Sequence, residues 1–146
     1  MNPTDFVDQA IRLCDESTEV SQRSAVSRGY YGAFHVAKQF IESCGLRFSK
    51  DSSAVHTRLR YCMDKSDDVE VATAARTLNS LRTARNDADY ALDDKRFRGK
   101  ALASTTLIQV QEVIATLVGA KPRFSAIRKK VRNYARLVRI PVIGSD

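Results

Sequence analysis

The sequence predicts an all-α fold, an up-and-down bundle of four to five helices followed by a basic C-terminal amphipathic helix. Apolar residues recur at steps of three and four along most of the chain, the period of a helix that buries one face. Six Gly and three Pro in 146 residues are too few to punctuate the many short strands of a sandwich or barrel. A 43% hydrophobic content at this length suits one globular unit and excludes a disordered or fibrous chain.

Asn2-Pro3 reads as an N-cap with proline at the first helical position. Phe6, Val7, Ala10, Ile11 and Cys14 then carry a short helix to about Ser17. A long helix follows from Val20 to Cys44, with Val26, Tyr30, Ala33, Ala37, Phe40 or Ile41, and Cys44 inward; Gly45 stands where a left-handed C-cap belongs. Residues 46–52 read as a loop, and Ala54 to Met63 as a shorter helix. Asp67 and Glu70 have the spacing of a capping box, opening a helix that runs through Leu78 and Leu81 to about Leu92. After a polar connection at 93–99, Ala103, Leu107, Val110, Ile114 and Leu117 form another stripe, closed by Gly119 and Pro122. Phe124, Ile127, Val131, Tyr134 and Val138 repeat that spacing in the last segment.

Charge divides the chain at that point. Residues 1–120 carry 16 basic and 16 acidic side chains, whereas 121–139 hold eight basic ones and no acid; Asp146 completes the net charge of +7. We therefore divide the chain into a helical bundle, 1–120, and a basic helix and tail, 121–146. Arg128, Arg132, Arg136 and Arg139 recur at steps of four, four and three and, with Lys129, form a candidate nucleic-acid face. An acidic partner, an anionic membrane surface, or a helix docked on the bundle with solvated charges are the alternatives. Cys14, Cys44 and Cys62 form no Cys-x-x-Cys pair and are odd in number, so buried reduced thiols are expected, with no disulfide framework and no metal site. The N-terminus has no leader pattern, and no apolar run approaches a membrane span; a cytoplasmic protein is expected.

Two polar constellations stand out. On the second helix Arg28, Tyr31, His35, Lys38 and Glu42 follow a line at steps of three and four. Guanidinium, phenol and imidazole together can hold a phosphate and move a proton, or can simply be a solvated polar face. Near the end of the fourth helix Arg82 faces Asn86, Arg85 faces Asp89, and Asn86 faces Tyr90. Two arginines, an amide and a phenol suit a phosphodiester, and an Arg85–Asp89 surface pair with local capping accounts for them equally well. Gly29 and Gly32 sit mid-helix, where close helix packing is the expected reason for them. His56, after the loop, is expected to be structural.

The stretch Ser27-Arg28-Gly29-Tyr30-Tyr31-Gly32-Ala33-Phe34-His35-Val36-Ala37, followed by Arg85-Asn86-Asp87-Ala88-Asp89-Tyr90, resembles the HEPN superfamily in its small prokaryotic form. The likeness covers about residues 5–118, in helix order as well as in both motifs. It implies an up-and-down bundle, a homodimer with its cleft between subunits, and RNA binding or cleavage in a toxin–antitoxin or defence setting. The family's ribonuclease signature places a His four to six positions beyond an Arg and its polar follower. Arg85 and Asn86 fill the first places, but the third falls on Tyr90, Ala91 or Leu92, and no His follows His56. Arg28 and His35 have the signature spacing within the second-helix motif, which other members also carry without catalysis. The resemblance thus implies His35 as proton shuttle, with Arg28 and Arg85 on the phosphate and no cofactor. Alternatively it implies a non-catalytic module that binds a nucleotide or a nucleotidyltransferase antitoxin, with Tyr90 as modification site and Tyr31, Arg82 and Asp89 beside it.

Overall fold

The computed structural model describes residues 1–50 and 53–145. Its six helices are α1 (Thr4–Cys14), α2 (Glu19–Ser43), α3 (Val55–Asp64), α4 (Val69–Tyr90), α5 (Ala101–Gly119) and α6 (Phe124–Leu137). Short 3-10 turns at Lys95–Arg98 and Lys121–Arg123 join the last three, and no strand longer than a single bridge occurs among the described residues. The all-α bundle is therefore observed, with the basic segment as its sixth helix.

Local chemistry sets each boundary. Asn2 accepts a hydrogen bond from the Thr4 N–H at 3.1 Å while Asp5 accepts from the Asn2 N–H at 3.0 Å, so Asn2 caps a first turn that Pro3 already holds in helical angles. Thr18 caps α2 through the Ser21 N–H. The cap of α4 is Asp68, which accepts from Val71 N–H at 3.0 Å; Asp67, the residue expected there, takes a left-handed φ of 56° just outside the helix. α1 stops at Cys14 instead of Ser17, because Gln22 donates to the freed carbonyls of Cys14 and Glu16. α4 stops at Tyr90, and Leu92 is exposed.

α2 is the hub, packed by α1, α3, α4 and α5. Its glycines permit this. A Cβ on Gly32 would stand 2.6 Å from Val7 Cγ2, and one on Gly29 would meet Leu107 and Val110 of α5 at 3.3 and 3.4 Å. The main core joins Tyr30, Phe34 and Ile41 of α2 to Leu59 and Met63 of α3, Leu78 and Leu81 of α4, Val110 and Leu117 of α5, and Ile127 and Val131 of α6. The boundary expected at residue 120 therefore falls between helices that share one core. A smaller cluster around Ala10, Cys14, Val26 and Leu107 also buries Phe97 from the connection expected to be polar. All three cysteines are buried free thiols. α5 is long and apolar enough by length and composition to cross a membrane, but it lies in the bundle with Ala103, Leu107, Val110, Val113 and Leu117 buried.

Candidate functional site

Two arginines, one half-buried and one buried, fix the frame of the site. Arg23 of α2 donates to the carbonyls of Ala88 and Ala91 at 3.0 Å each, and its guanidinium stands 4.5 Å from the Phe97 ring centroid. It thereby satisfies the carbonyls that end α4 and locks that end beside α2. Arg132 of α6, 1% exposed, donates to the carbonyls of Cys44, Ile143 and Gly144 at 3.1, 2.7 and 2.9 Å. It occupies the space beside Gly45, which has φ +91°, and ties the end of α2 to the C-terminal segment.

Within that frame the two motifs meet. Arg85 donates to the Tyr31 hydroxyl at 2.7 Å and to Asn86 Oδ1 at 2.9 Å. Its Nε lies 3.0 Å from Asp89 Oδ2 in an ion pair that lacks hydrogen-bond alignment. Asp89 also accepts from Ser27 at 3.5 Å, and the Arg85 guanidinium lies 5.2 Å from the Tyr31 ring centroid. Arg82 reaches toward Thr57 of α3 at 3.4 Å. His35 is half-buried between Phe6, stacked at 5.5 Å, and Tyr31 at 6.3 Å. It has no hydrogen-bond partner among the described residues. Burial, then the Lys38 charge, lowers its pKa, so the imidazole is neutral near pH 7 with one ring nitrogen free to accept a proton. Arg28 is exposed, 5.9 Å from the Phe6 ring centroid. Lys38 pairs with Glu42 at 2.6 Å, so the lower end of that line is an ordinary helix-face pair.

The second histidine, expected to be structural, packs against the same cluster. His56 stacks on Phe34 at 4.2 Å and bonds Tyr30 Oη through Nδ1, while Phe34 also meets His35 edge-on at 5.1 Å. Burial pushes the Tyr30 phenol up to about 12, so it stays protonated and donates, which puts the imidazole proton of His56 on Nε2. Burial, then the charges of Arg82, Arg85 and His35, brings His56 down to about 4. Spacing along one helix could not bring these groups together, because Phe6 enters from α1 and His56 and Thr57 from α3, while Tyr30, expected in the core, meets His56 from α2. The available signal was that the chain has only two histidines, one of which, His35, directly follows an aromatic residue.

The basic C-terminal face assembles only in part. Arg128, Lys129 and Arg136 surround a shallow 340 Å³ recess. Arg128 donates to the Ser145 carbonyl at 2.7 Å, and Arg136 to Asn133 Oδ1 at 3.4 Å. Arg132 leaves the expected face because its guanidinium is consumed inside the fold. Arg139 lies beyond the helix with φ 60°. Tyr90 is 75% exposed in the last turn of α4 and makes no hydrogen bond among the described residues. Among those residues no three His, Cys, Asp or Glu side chains group to hold a metal ion. The chain matches no family model, no curated protein and no solved structure.

Proposed function

We propose that this chain engages RNA where α2, α3 and α4 meet, and cleaves it without metal using His35 as the proton acceptor. The observation that carries the proposal is the convergence of both histidines with Arg82 and Arg85 around Tyr30, Tyr31 and Phe34. A neutral, part-exposed imidazole can take the 2′-hydroxyl proton as that oxygen attacks phosphorus. Neighbouring guanidinia stabilise the charge that builds on the phosphate oxygens, and the departing 5′-oxygen recovers a proton from the imidazolium or water. Tyr31, Asn86 and Asp89 hold Arg85 in one orientation, making Arg82 and Arg28 the freer phosphate contacts. The resemblance of the two motifs supports RNA as the substrate and adds a homodimer acting in a toxin–antitoxin or defence setting.

The test incubates purified protein with end-labelled tRNA and total RNA in chelator, beside His35→Ala and Arg85→Ala. Cleavage lost in both variants, with wild-type helicity by circular dichroism, is expected. RNA that stays intact and unbound even at low salt overturns the proposal.

The exposure of Tyr90, and its lack of a hydrogen-bond partner among the described residues, favour a second reading, a non-catalytic module modified there by a nucleotidyltransferase. That reading expects no cleavage and a mass increase with the partner enzyme that Tyr90→Phe abolishes.

A further inference from the structure

Between the C-terminal half of α2, the start of α3 and the C-terminal segment lies a cleft of about 620 Å³ that no part of the catalytic proposal uses. Lys38, Arg47, Lys50 and Arg58 line it, with Glu42, held by Lys38, as the one carboxylate among the described residues. Arg47, Lys50 and Arg58 make no ion pair or side-chain hydrogen bond among the described residues. Cations gathered in a recess repel one another and focus a positive potential into it, and a bound polyanion relieves both. Phe48, Ile140 and Pro141 give the same cleft an apolar wall.

That wall is held in place. Arg47 N–H donates to the Pro141 carbonyl at 3.1 Å, Ile143 N–H to the Gly45 carbonyl at 2.6 Å, and Arg132 holds both segments through the Cys44 and Ile143 carbonyls. The buried arginine of the basic helix thus shapes this cleft instead of touching a ligand. Lys38, at one edge of the cleft, stands one turn beyond His35 on α2, which places the two on neighbouring stretches of one helix.

We infer that this cleft is the subsite for the single-stranded RNA backbone next to the phosphate held at His35. Arg47, Lys50 and Arg58 take successive phosphates, and the apolar wall takes a base. Cations beside an apolar wall match a single strand, and the volume admits about one or two nucleotides. The inference rests on the RNA proposal above and adds the path the strand follows.

The test measures binding of a short, uncleavable 2′-O-methyl RNA by fluorescence anisotropy across a salt series. Full-length wild type is compared with Arg47→Ala/Arg58→Ala, with Arg82→Ala, and with Lys95→Ala/Arg98→Ala, which removes equal charge from the exposed 3-10 turn. The cleft double variant should bind roughly tenfold more weakly, with a log–log salt slope shallower by about 1.4 for two lost phosphate contacts. The turn double variant should match wild type. Equal weakening in both double variants, or wild-type binding by the cleft variant while Arg82→Ala weakens it, overturns this inference alone. Wild type that binds no RNA overturns the RNA proposal and this inference with it. ATP that binds the cleft as tightly as the oligonucleotide, and is lost in the cleft variant, makes it a free-nucleotide site and also overturns the inference.

Discussion

At His56, burial and two neighbouring guanidinia act in the same direction on one imidazole, and the consequence is a defined pH window. The folded pKa of about 4 lies below the ordinary 6.5, so the unfolded chain takes up the proton first as pH falls. The stability this ring contributes is complete above about 6.5 and is lost on descent toward 4. The full shift corresponds to about 3 kcal/mol, which solvent access to the half-buried ring reduces to on the order of 1–2 kcal/mol. Asp68 and Asp94 have lowered pKa values and titrate below 3.8, outside that window. Urea unfolding at pH 7.5 and 4.5 should show the loss in wild type and a smaller one in His56→Gln; equal losses in the two proteins contradict the assignment. Gly45 gives a second residue-scale prediction. A Cβ there would lie 2.1 Å from Arg132 Nη1 at a φ of +91°, whereas one on Gly99 would meet nothing within 4 Å. Gly45→Ala should cost about 2–4 kcal/mol and Gly99→Ala less than about 0.5 kcal/mol in denaturant unfolding. The glycine at 45 was legible as a C-cap from its place after a helical stripe; the arginine that fills its missing side chain comes from 87 residues away and was not.

Among the elements, the exposed ends of α2 and α4 are completed by side chains from other helices. Arg23→Met keeps the aliphatic bulk over Phe97 but removes the side-chain donor of the Ala88 carbonyl and leaves the Ala91 carbonyl with the Asp94 N–H alone. A loss of about 2 kcal/mol is expected, with faster amide exchange confined to the last turn of α4. Unchanged exchange there would show that water serves those carbonyls as well as Arg23 does. The helices themselves were legible, because α2, α4, α5 and α6 each carry a continuous apolar stripe at helical spacing. The cap at Asp68 was displaced by one residue because both aspartates are good cap residues and only Asp67 has a Glu three residues on, whereas the tertiary bonds from Arg123 to Asp68 and Glu70 favour the second. Phe97 was hidden in a polar run because a single aromatic has no period to reveal it. Part of the loop expected at 46–52, residues 51 and 52, lies outside the described residues, as does the terminal Asp146.

For the molecule as a whole, the charge boundary at residue 120 is not a packing boundary. Ile127, Val131 and Ile140 are buried in the main core, and each fully buried side chain of this size contributes about 1.5–3 kcal/mol. Their sum is comparable with the whole stability of a small domain. A chain ending at residue 120 should therefore lose the single cooperative urea transition of the intact protein, and an unchanged midpoint would contradict the shared core. Composition revealed the basic segment, but charge alone could not separate the arginine that builds the fold from those that face solvent. The site was legible as two lines of polar residues on two helices. Its closure by Phe6, Tyr30 and His56 was not, since it depends on how three other faces meet. The measurement that bears most directly on the account follows the imidazole resonances of His35 and His56 through a pH titration, with and without an uncleavable 2′-O-methyl RNA. A phosphate held against His35 stabilises its imidazolium, so the RNA should raise the His35 pKa from its lowered value, while His56, bonded to Tyr30, moves less. An RNA that leaves both titration curves unchanged would contradict the claim that this surface receives the phosphate.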